Sequence, residues 1–133
     1  MKIAVITGAS SGMGREFVLQ LPAWEQFDEL WVIARRAERL EALKSEVSLP
    51  VRPISLDLTD PDALRHYADL LETAKPNVGL LANISGFGKF GRYDQIPLED
   101  SLRMIDLNCK ALVAMTELTL PYMKRGAKIV NLD

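Results

Sequence analysis

The stretch that decides the fold of this chain is MKIAVITGASSGMG, residues 1–14. Its apolar run from Ile3 to Ile6 is typical of a fully buried strand. Three glycines follow that run at once, and a helical pattern begins behind them. A strand, a glycine-rich turn and a helix in this order favour a diphosphate site, because the unpaired N–H groups at a helix start attract anions.

Each glycine of this turn has a distinct predicted task. Gly8 allows a tight turn off the strand, Gly12 lets the main chain approach a pyrophosphate, and Gly14 lets the helix pack closely on the sheet. Ser10 and Ser11 add hydroxyl donors at the same place. The alternative is a glycine-rich connection without a ligand. A loop of the GxxxxGK[ST] type is excluded, because no Lys-Ser or Lys-Thr follows Gly14.

The spacing of these residues resembles that of a known family. Thr7-Gly8-x-x-x-Gly12-x-Gly14, directly after the first strand, is similar to the cofactor motif of the short-chain dehydrogenases/reductases. The resemblance implies that a nicotinamide dinucleotide binds along the whole turn. The residues expected to contact it are Thr7, Gly8, Ser10, Ser11, Gly12, Met13 and Gly14.

Length, composition and charge narrow the class of protein. We expect one domain over residues 1–133, since the chain is long enough for one core and too short for two. The net charge of −2 offers no basic surface for nucleic acid or anionic membranes, and no apolar run approaches a membrane span. The single Cys109 cannot form an internal disulfide, which suits a reducing cytoplasm. No residues show metal-ligand spacing, so we predict no metal site.

Strands and helical patterns alternate along the sequence. Asp60 and Pro61 form a helix start, and a long helix is expected from about Glu99, perturbed near Pro121. Right-handed crossovers between such elements imply an α/β fold: a Rossmann-like, doubly wound parallel sheet in the order 3-2-1-4-5, with helices on both faces. Its ligand is expected between strands 1 and 4. The predicted strands are Ile3–Ile6, Leu30–Ala34, Val51–Leu56, Val78–Asn83 and Ala127–Leu132.

The end of the second predicted strand bears on the choice of nucleotide. An acidic residue there would bind the ribose hydroxyls of NAD, whereas a cation can meet a 2′-phosphate. This sequence has Arg35 and Arg36 and no acid at that point, which favours NADP(H). The alternative is that both arginines are a solvated helix start. Arg15 is interpreted as paired with Glu16 or solvated.

The resemblance extends to later strands. It implies that Asp57 and Leu58, after the third strand, contact the adenine, although Asp57 can also be a helix-entry residue. The run Asn83-Ile84-Ser85-Gly86 is similar to the family's Asn-Asn-Ala-Gly stretch. Asn83, Ser85 and Gly86 are accordingly expected near the nicotinamide ribose.

The last family position in this sequence is Asn108, inside the predicted long helix. The family carries there an Asn that supports a proton-relay water, which gives Asn108 an expected catalytic role. The alternative is a buried residue that makes a structural hydrogen bond to the neighbouring backbone.

The family's acid–base residues have no match in this sequence. The family uses a Tyr with a Lys four residues later, and none of Tyr67, Tyr93 and Tyr122 is followed by Lys at that position. Residues 128–133 resemble the strand that leads to the catalytic Ser. The resemblance thus implies the cofactor-binding first half of an NADP(H)-dependent oxidoreductase, truncated at the C-terminus, without turnover by this chain alone. The alternative is a non-enzymatic nucleotide-binding or interaction protein of the same fold.

Apolar surface on the last two predicted elements indicates self-association. The long helix 99–124 carries two adjacent apolar stripes, which together are wider than one sheet contact needs. The last strand, 127–132, would be an apolar sheet edge open to pairing. We expect a homo-oligomer through the helix, the strand or both.

Overall fold

The computed structural model describes residues 1–10, 12–85 and 93–132. The strands in these ranges are β1 (Lys2–Thr7), β2 (Glu29–Ala34), β3 (Val51–Ser55), β4 (Asn77–Asn83) and β5 (Lys128–Asn131). The α-helices are α1 (Gly12–Gln20), α2 (Ala37–Glu46), α3 (Pro61–Ala74), α4 (Leu98–Ile105) and α5 (Ala111–Thr119). No helix in the described ranges is long and apolar enough to cross a membrane.

The strands form one parallel sheet in the order β3-β2-β1-β4-β5. This confirms the predicted Rossmann-like topology. The central strand β1 is buried on both faces, and its Val5 lies between Trp31 of β2 and Leu81 of β4. A strand that is covered on both faces has a continuous run of apolar residues, which is why β1, β2 and β4 could be predicted from the sequence.

Two hydrophobic cores lie on opposite faces of the sheet. On one face Val18 of α1 and Leu40 of α2 pack in the same cluster as Ile6. On the other face, Tyr67 of α3 and Met115 of α5 share a cluster with Trp31, Val5 and Ile3. All these residues are fully buried. The two layers leave the carboxyl ends of the strands open, as expected for a doubly wound sheet.

Local signals set the helix ends as predicted. Asp60 caps α3, because its carboxylate accepts a hydrogen bond from the N–H of Asp62 at 2.9 Å, and Pro61 occupies the first helical position. The helix α1 ends at Gln20, and Pro22 follows within a short 3₁₀ turn, Leu21–Ala23. The start of α3 confirms the sequence-based expectation.

The predicted long helix differs from the observed one. It starts at Leu98, is interrupted by a π-helical turn at Asp106–Lys110, resumes as α5 and ends in a 3₁₀ turn at Leu120–Tyr122. The wider π turn shifts the residue that faces the sheet, and the buried face of α5 passes through Ala111, Met115 and Thr119. Asn108 lies in the π turn and is exposed, so its interpretation as a buried helix residue was wrong.

Candidate functional site

The main candidate site is a cavity of about 580 Å³ at the carboxyl ends of the strands. Its walls come from the glycine turn after β1, the start of α2, the loop after β3, the end of β4 and the helix α4. The residues that line it are Gly8, Ser10, Gly12, Met13, Gly14, Ala34, Arg35, Arg36, Arg39, Leu56, Asp57, Leu58, Ile84, Ser85, Asp100, Arg103 and Leu107. The position next to β1 and β4 agrees with the predicted switch point.

Gly8 and Gly14 hold the turn in a closely packed shape. Gly8 has a φ of +68°, and a Cβ on it would lie 2.8 Å from the backbone nitrogen of Ser85. A Cβ on Gly14 would lie 1.9 Å from the carbonyl oxygen of Gly8. Neither position has room for a side chain. The positive φ of Gly8 agrees with its predicted tight turn, and Gly14 lets α1 approach that turn closely.

Gly12 differs from the other two glycines, because it faces open space. Its φ is +57°, and a Cβ built on it would have no neighbour within 4 Å. Gly12 is the first residue of α1 and lines the cavity. The N–H groups of the first helical turn have no partners within the helix, and the helix dipole places partial positive charge there. This cradle fits an anionic group that approaches the backbone closely.

Thr7 lies behind the cavity wall. It is only 1% exposed, and its Oγ1 accepts hydrogen bonds from the backbone N–H groups of Ile84 at 3.0 Å and Ser85 at 2.9 Å. Thr7 thus ties the end of β1 to the loop after β4, and it is not among the residues that line the cavity. Its direct contact with a cofactor stays a prediction.

Three arginines stand at the β2 side of the cavity. Arg35 and Arg36 follow β2 directly, Arg39 lies in the first turn of α2, and all three are exposed and line the cavity. Sequence reasoning missed Arg39, which joins the group because the first turn of α2 follows Arg35 and Arg36 directly along the cavity wall. Arg15 is not part of this group, and it pairs with Glu46 at the end of α2 rather than with Glu16.

Asp57 is held in place in the loop after β3. Its Oδ1 accepts hydrogen bonds from the N–H of Thr59 at 3.0 Å and from the hydroxyl of Thr59 at 2.6 Å. Burial alone would raise the pKa of Asp57, but the bonds from Thr59 and the charges of Arg103 and Arg35 outweigh it and hold that pKa below its usual value. Leu58 is buried and lines the cavity beside it.

Asn83 and Ser85 take different positions at the end of β4. Ser85 lines the cavity, whereas Asn83 is 3% exposed and does not. The Asn83 side-chain N–H₂ donates to the Oδ1 of Asn131 at 2.9 Å and to the hydroxyl of Thr116 at 3.2 Å, so it links β4 to β5 and α5. Its Oδ1 is buried with no hydrogen-bond partner among the described residues. The predicted contacts at Ser11 and Gly86 lie outside the described residues.

The described tyrosine side chains are not part of the cavity lining. Tyr67 is buried with its hydroxyl 2.7 Å from the Oγ1 of Thr119, and burial raises its pKa. Tyr122 donates a hydrogen bond to Glu72 at 2.9 Å, which raises the pKa of that phenol. Neither is tuned to exchange a proton near neutral pH. Asn108 also lies outside the cavity lining, and no set of three or more His, Cys, Asp or Glu within the described ranges could hold a metal ion.

The α4 wall is the part of the site that the sequence did not reveal. Asp100 and Arg103 of α4 and Leu107 of the following π turn lie about one helical turn apart and line the cavity. No spacing rule links them to the strand ends, because the path of the chain between β4 and α4 decides where this helix lies. Leu56 and Ile84 also line the cavity and were not predicted.

Comparisons with known proteins agree with this geometry. The family model for short chain dehydrogenase matches residues 2–133. A probable short-chain type dehydrogenase/reductase of Helicobacter pylori is 32% identical over 133 residues, which cover 98% of this chain and 47% of that protein. This chain thus spans about half the length of the curated relatives that it matches.

Solved structures show the same relationship. A short-chain dehydrogenase from Sphingobium yanoikuyae in complex with NADPH aligns with a TM-score of 0.82 and 29% identity, over 98% of this chain and 53% of that one. The closed form of a serine dehydrogenase complexed with NADP⁺ aligns with a TM-score of 0.80 and 30% identity, over 97% and 52%. From the family match, the shared topology and these relatives, the chain belongs to the short-chain dehydrogenase/reductase family.

Proposed function

We propose that this chain binds NADP(H) and forms the cofactor-binding part of an oxidoreductase acting on a carbonyl/alcohol pair. The observation that carries the proposal is one cavity in which the open backbone cradle at Gly12 lies with three exposed arginines. Its donors and charges suit an anionic dinucleotide. The two solved relatives described above are named as complexes with NADPH and NADP⁺, which supports the same cofactor here.

Each part of the cofactor has candidate partners along the cavity. The N–H groups at the start of α1 suit the diphosphate. Arg35 and Arg36 suit a 2′-phosphate, and Asp57 and Leu58 suit the adenine. The end of β4 suits the nicotinamide side. The full set proposed to hold the cofactor is Thr7, Gly8, Ser10, Ser11, Gly12, Met13, Gly14, Arg35, Arg36, Asp57, Leu58, Asn83, Ser85 and Gly86.

NADP(H) is preferred over NAD(H) because of charge at the end of β2. A ribose with free hydroxyls is usually bound by a carboxylate there, and the residues that line this wall are Arg35, Arg36 and Arg39. Guanidinium groups match phosphate oxygens in shape and charge. Ser55 donates a hydrogen bond to the carbonyl oxygen of Arg35 at 2.9 Å, which orders the backbone beneath these cations.

The reaction itself needs more than this cavity supplies. The bound nicotinamide would supply the hydride, and a general acid or base must move the accompanying proton. Tyr67 and Tyr122 have raised pKa values, and no Tyr in the sequence is followed by Lys four residues on. We therefore propose that this chain binds the cofactor but does not catalyse turnover by itself. The proposed role of Asn108 in a proton relay would require an acid–base group that this chain does not supply.

The deciding experiment is a calorimetric titration of the chain with NADP⁺ and with NAD⁺. We expect saturable binding with NADP⁺ preferred. In the double variant Arg35→Ala/Arg36→Ala, affinity for NADP⁺ should fall about 100-fold, since each charge-assisted hydrogen bond contributes about 1.5–3 kcal/mol. Affinity for NAD⁺ should change less than about threefold, because NAD⁺ lacks the 2′-phosphate.

The matched control removes two exposed cations elsewhere. Lys44→Ala/Arg65→Ala changes the net charge equally, and these residues pair with Glu41 and Asp62 away from the cavity lining. If both double variants lost the same affinity for NADP⁺, the effect would be general electrostatic attraction and not a specific 2′-phosphate site. If the wild-type chain bound neither nucleotide, the proposal would be wrong and the alternative of an interaction protein of this fold would replace it.

We also propose that the chain forms a homo-oligomer through the helix segment 99–124 or the strand 127–132. A stripe of exposed apolar side chains runs along α4 and α5, and at the sheet edge Ile129 is 39% exposed. Burying such a stripe between copies is favourable at about 25 cal/mol per Å² of apolar area. The stripe consists of Leu98, Leu102, Ile105, Val113 and Leu120.

Light scattering tests the helix surface directly. The wild-type chain should scatter as a dimer or larger species, and Ile105→Glu/Val113→Glu should shift it to the monomer mass, because burying two carboxylates is costly. Ala42→Glu, at an exposed position of α2, is the control and should leave the mass unchanged. A monodisperse wild-type monomer at high concentration would contradict this prediction, whereas an unchanged oligomer in the double variant would direct attention to β5.

A further inference from the structure

One ion pair joins two walls of the cavity that are far apart in sequence. The Nη2 of Arg103, on α4, lies 3.6 Å from the Oδ2 of Asp57, in the loop after β3. Both residues line the cavity, and each side chain is a little over one third exposed. An ion pair at this position can order a side chain that faces a ligand.

The two carboxylate oxygens of Asp57 have different partners. Oδ1 accepts two hydrogen bonds from Thr59, which fixes the base of the side chain. The Oδ2 is paired with Arg103 at a distance longer than a hydrogen bond, so it can still accept a hydrogen bond from a ligand in the cavity. Thr59 and Arg103 together therefore set which way this acceptor points.

The charges around Asp57 come from several elements. Arg103 on α4 and Arg35 after β2 both favour its ionised form. Asp100, also on α4, lines the same cavity. With Arg103 removed, Asp57 loses one of the two cations that favour its ionised form, so its pKa should rise.

We propose that Arg103 is a positioning residue that acts through Asp57 to make the cavity select a 6-aminopurine over a 6-oxopurine dinucleotide. This inference rests on the proposed function and deepens it. An ionised carboxylate accepts hydrogen bonds and cannot donate them. The 6-amino group of adenine is a donor and pairs with it, whereas the 6-oxo group of hypoxanthine would place a second acceptor against Oδ2.

The expected size of the base preference follows from the unpaired acceptor that the 6-oxo analogue would leave at Asp57. A hydrogen bond to a charged group is among the stronger ones, and a site built to pair a donor discriminates against an analogue that lacks it. We expect the wild-type chain to bind NADP⁺ about tenfold or more tightly than nicotinamide hypoxanthine dinucleotide phosphate. The ratio of the two affinities reports the contribution of the base alone, because both ligands carry the same phosphates.

The experiment measures both affinities by calorimetry in the wild-type chain and three variants. Arg103→Met should lower the tenfold preference to about threefold or less, since Asp57 loses its orientation. Arg103→Lys should retain most of the preference, because it keeps the charge. Lys110→Met is the control. It removes an exposed cation that pairs with Asp106 in the same helical segment, and it should leave the preference unchanged.

A second measurement uses no nucleotide. The carboxyl carbon of Asp57, followed by NMR as the pH is lowered, should titrate at a higher pH in Arg103→Met than in the wild-type chain. Because a protonated Asp57 can donate a hydrogen bond to a 6-oxo group, the base preference of that variant should also fade at a higher pH on acidification. In Arg103→Lys and Lys110→Met the titration should stay close to that of the wild-type chain.

The outcomes separate this inference from the proposed function. A wild-type chain that binds neither dinucleotide overturns both. A wild-type chain that binds NADP⁺ but shows the same base preference in Arg103→Met overturns only the positioning role, as does an unchanged titration of Asp57. If Arg103→Met does not fold, Arg103→Gln takes its place, and an unchanged base preference in that folded variant overturns the positioning role.

Discussion

Replacing Gly14 by alanine is expected to lower the free energy of unfolding by about 3 kcal/mol or more. The new Cβ would lie 1.9 Å from the carbonyl oxygen of Gly8 and 2.6 Å from its carbonyl carbon. Both are backbone atoms, so the overlap can be relieved only if α1 or the turn after β1 moves. Chemical unfolding in urea, followed by far-UV circular dichroism, measures the change.

The control for Gly14→Ala is Gly126→Ala. Gly126 precedes β5, and a Cβ there would meet nothing within 4 Å, although its φ of +94° adds backbone strain. We expect this variant to lose only about 1–2 kcal/mol, the cost of a left-handed residue. Equal unfolding midpoints for Gly14→Ala and the wild-type chain would show that the turn yields easily and that the close packing has little energetic weight.

Replacing Gly12 by alanine is expected to weaken nucleotide binding about 30-fold or more while the chain stays folded. The side chain would point into open space at the start of α1, where the diphosphate is proposed to approach the backbone. A methyl group there would hold the phosphates away from the helix N–H groups, and losing one such charge-assisted bond accounts for the factor. Calorimetry with NADP⁺ gives the affinity, and urea unfolding gives the stability.

Gly126→Ala is again the matched control, because it has a positive φ and open space but lies at the amino end of β5, the opposite end of the sheet from the cavity. It should share the stability loss of Gly12→Ala, about 1–2 kcal/mol, and leave the affinity unchanged. If Gly12→Ala bound NADP⁺ as tightly as the wild-type chain, the diphosphate would not approach the backbone at the start of α1.

The fold was predictable because its signals are local and repeated. Buried parallel strands leave continuous apolar runs such as Leu30–Ala34, and caps such as Asp60 act within one helical turn. The alternation of strands and helices, with the rule of right-handed crossovers, then leaves few sheet orders. The gathering of residues next to strand ends, such as Gly8 and Asp57, around one cavity was predictable for the same reason: parallel strands end at one edge.

Other features could not be predicted, because they depend on how distant segments meet. The exposure of Asn108 results from the π turn and from the face of α5 that packs on the sheet. Arg15 pairs with Glu46, 31 residues away, because α1 and α2 cover the same face. Thr7 was predicted as a cofactor contact, and the structure uses its hydroxyl to order the loop after β4.

The sequence by itself determined the strand order, the glycine turn and the cationic end of β2, since each depends on patterns of residues that are close together in the chain. Only the tertiary structure decided that α4 closes the cavity and that Arg103 meets Asp57 across 46 positions of sequence. The physical reason is that local patterns set the conformation of a segment and the face it buries. Which side chains meet across a cavity is set by the packing of whole elements on the sheet.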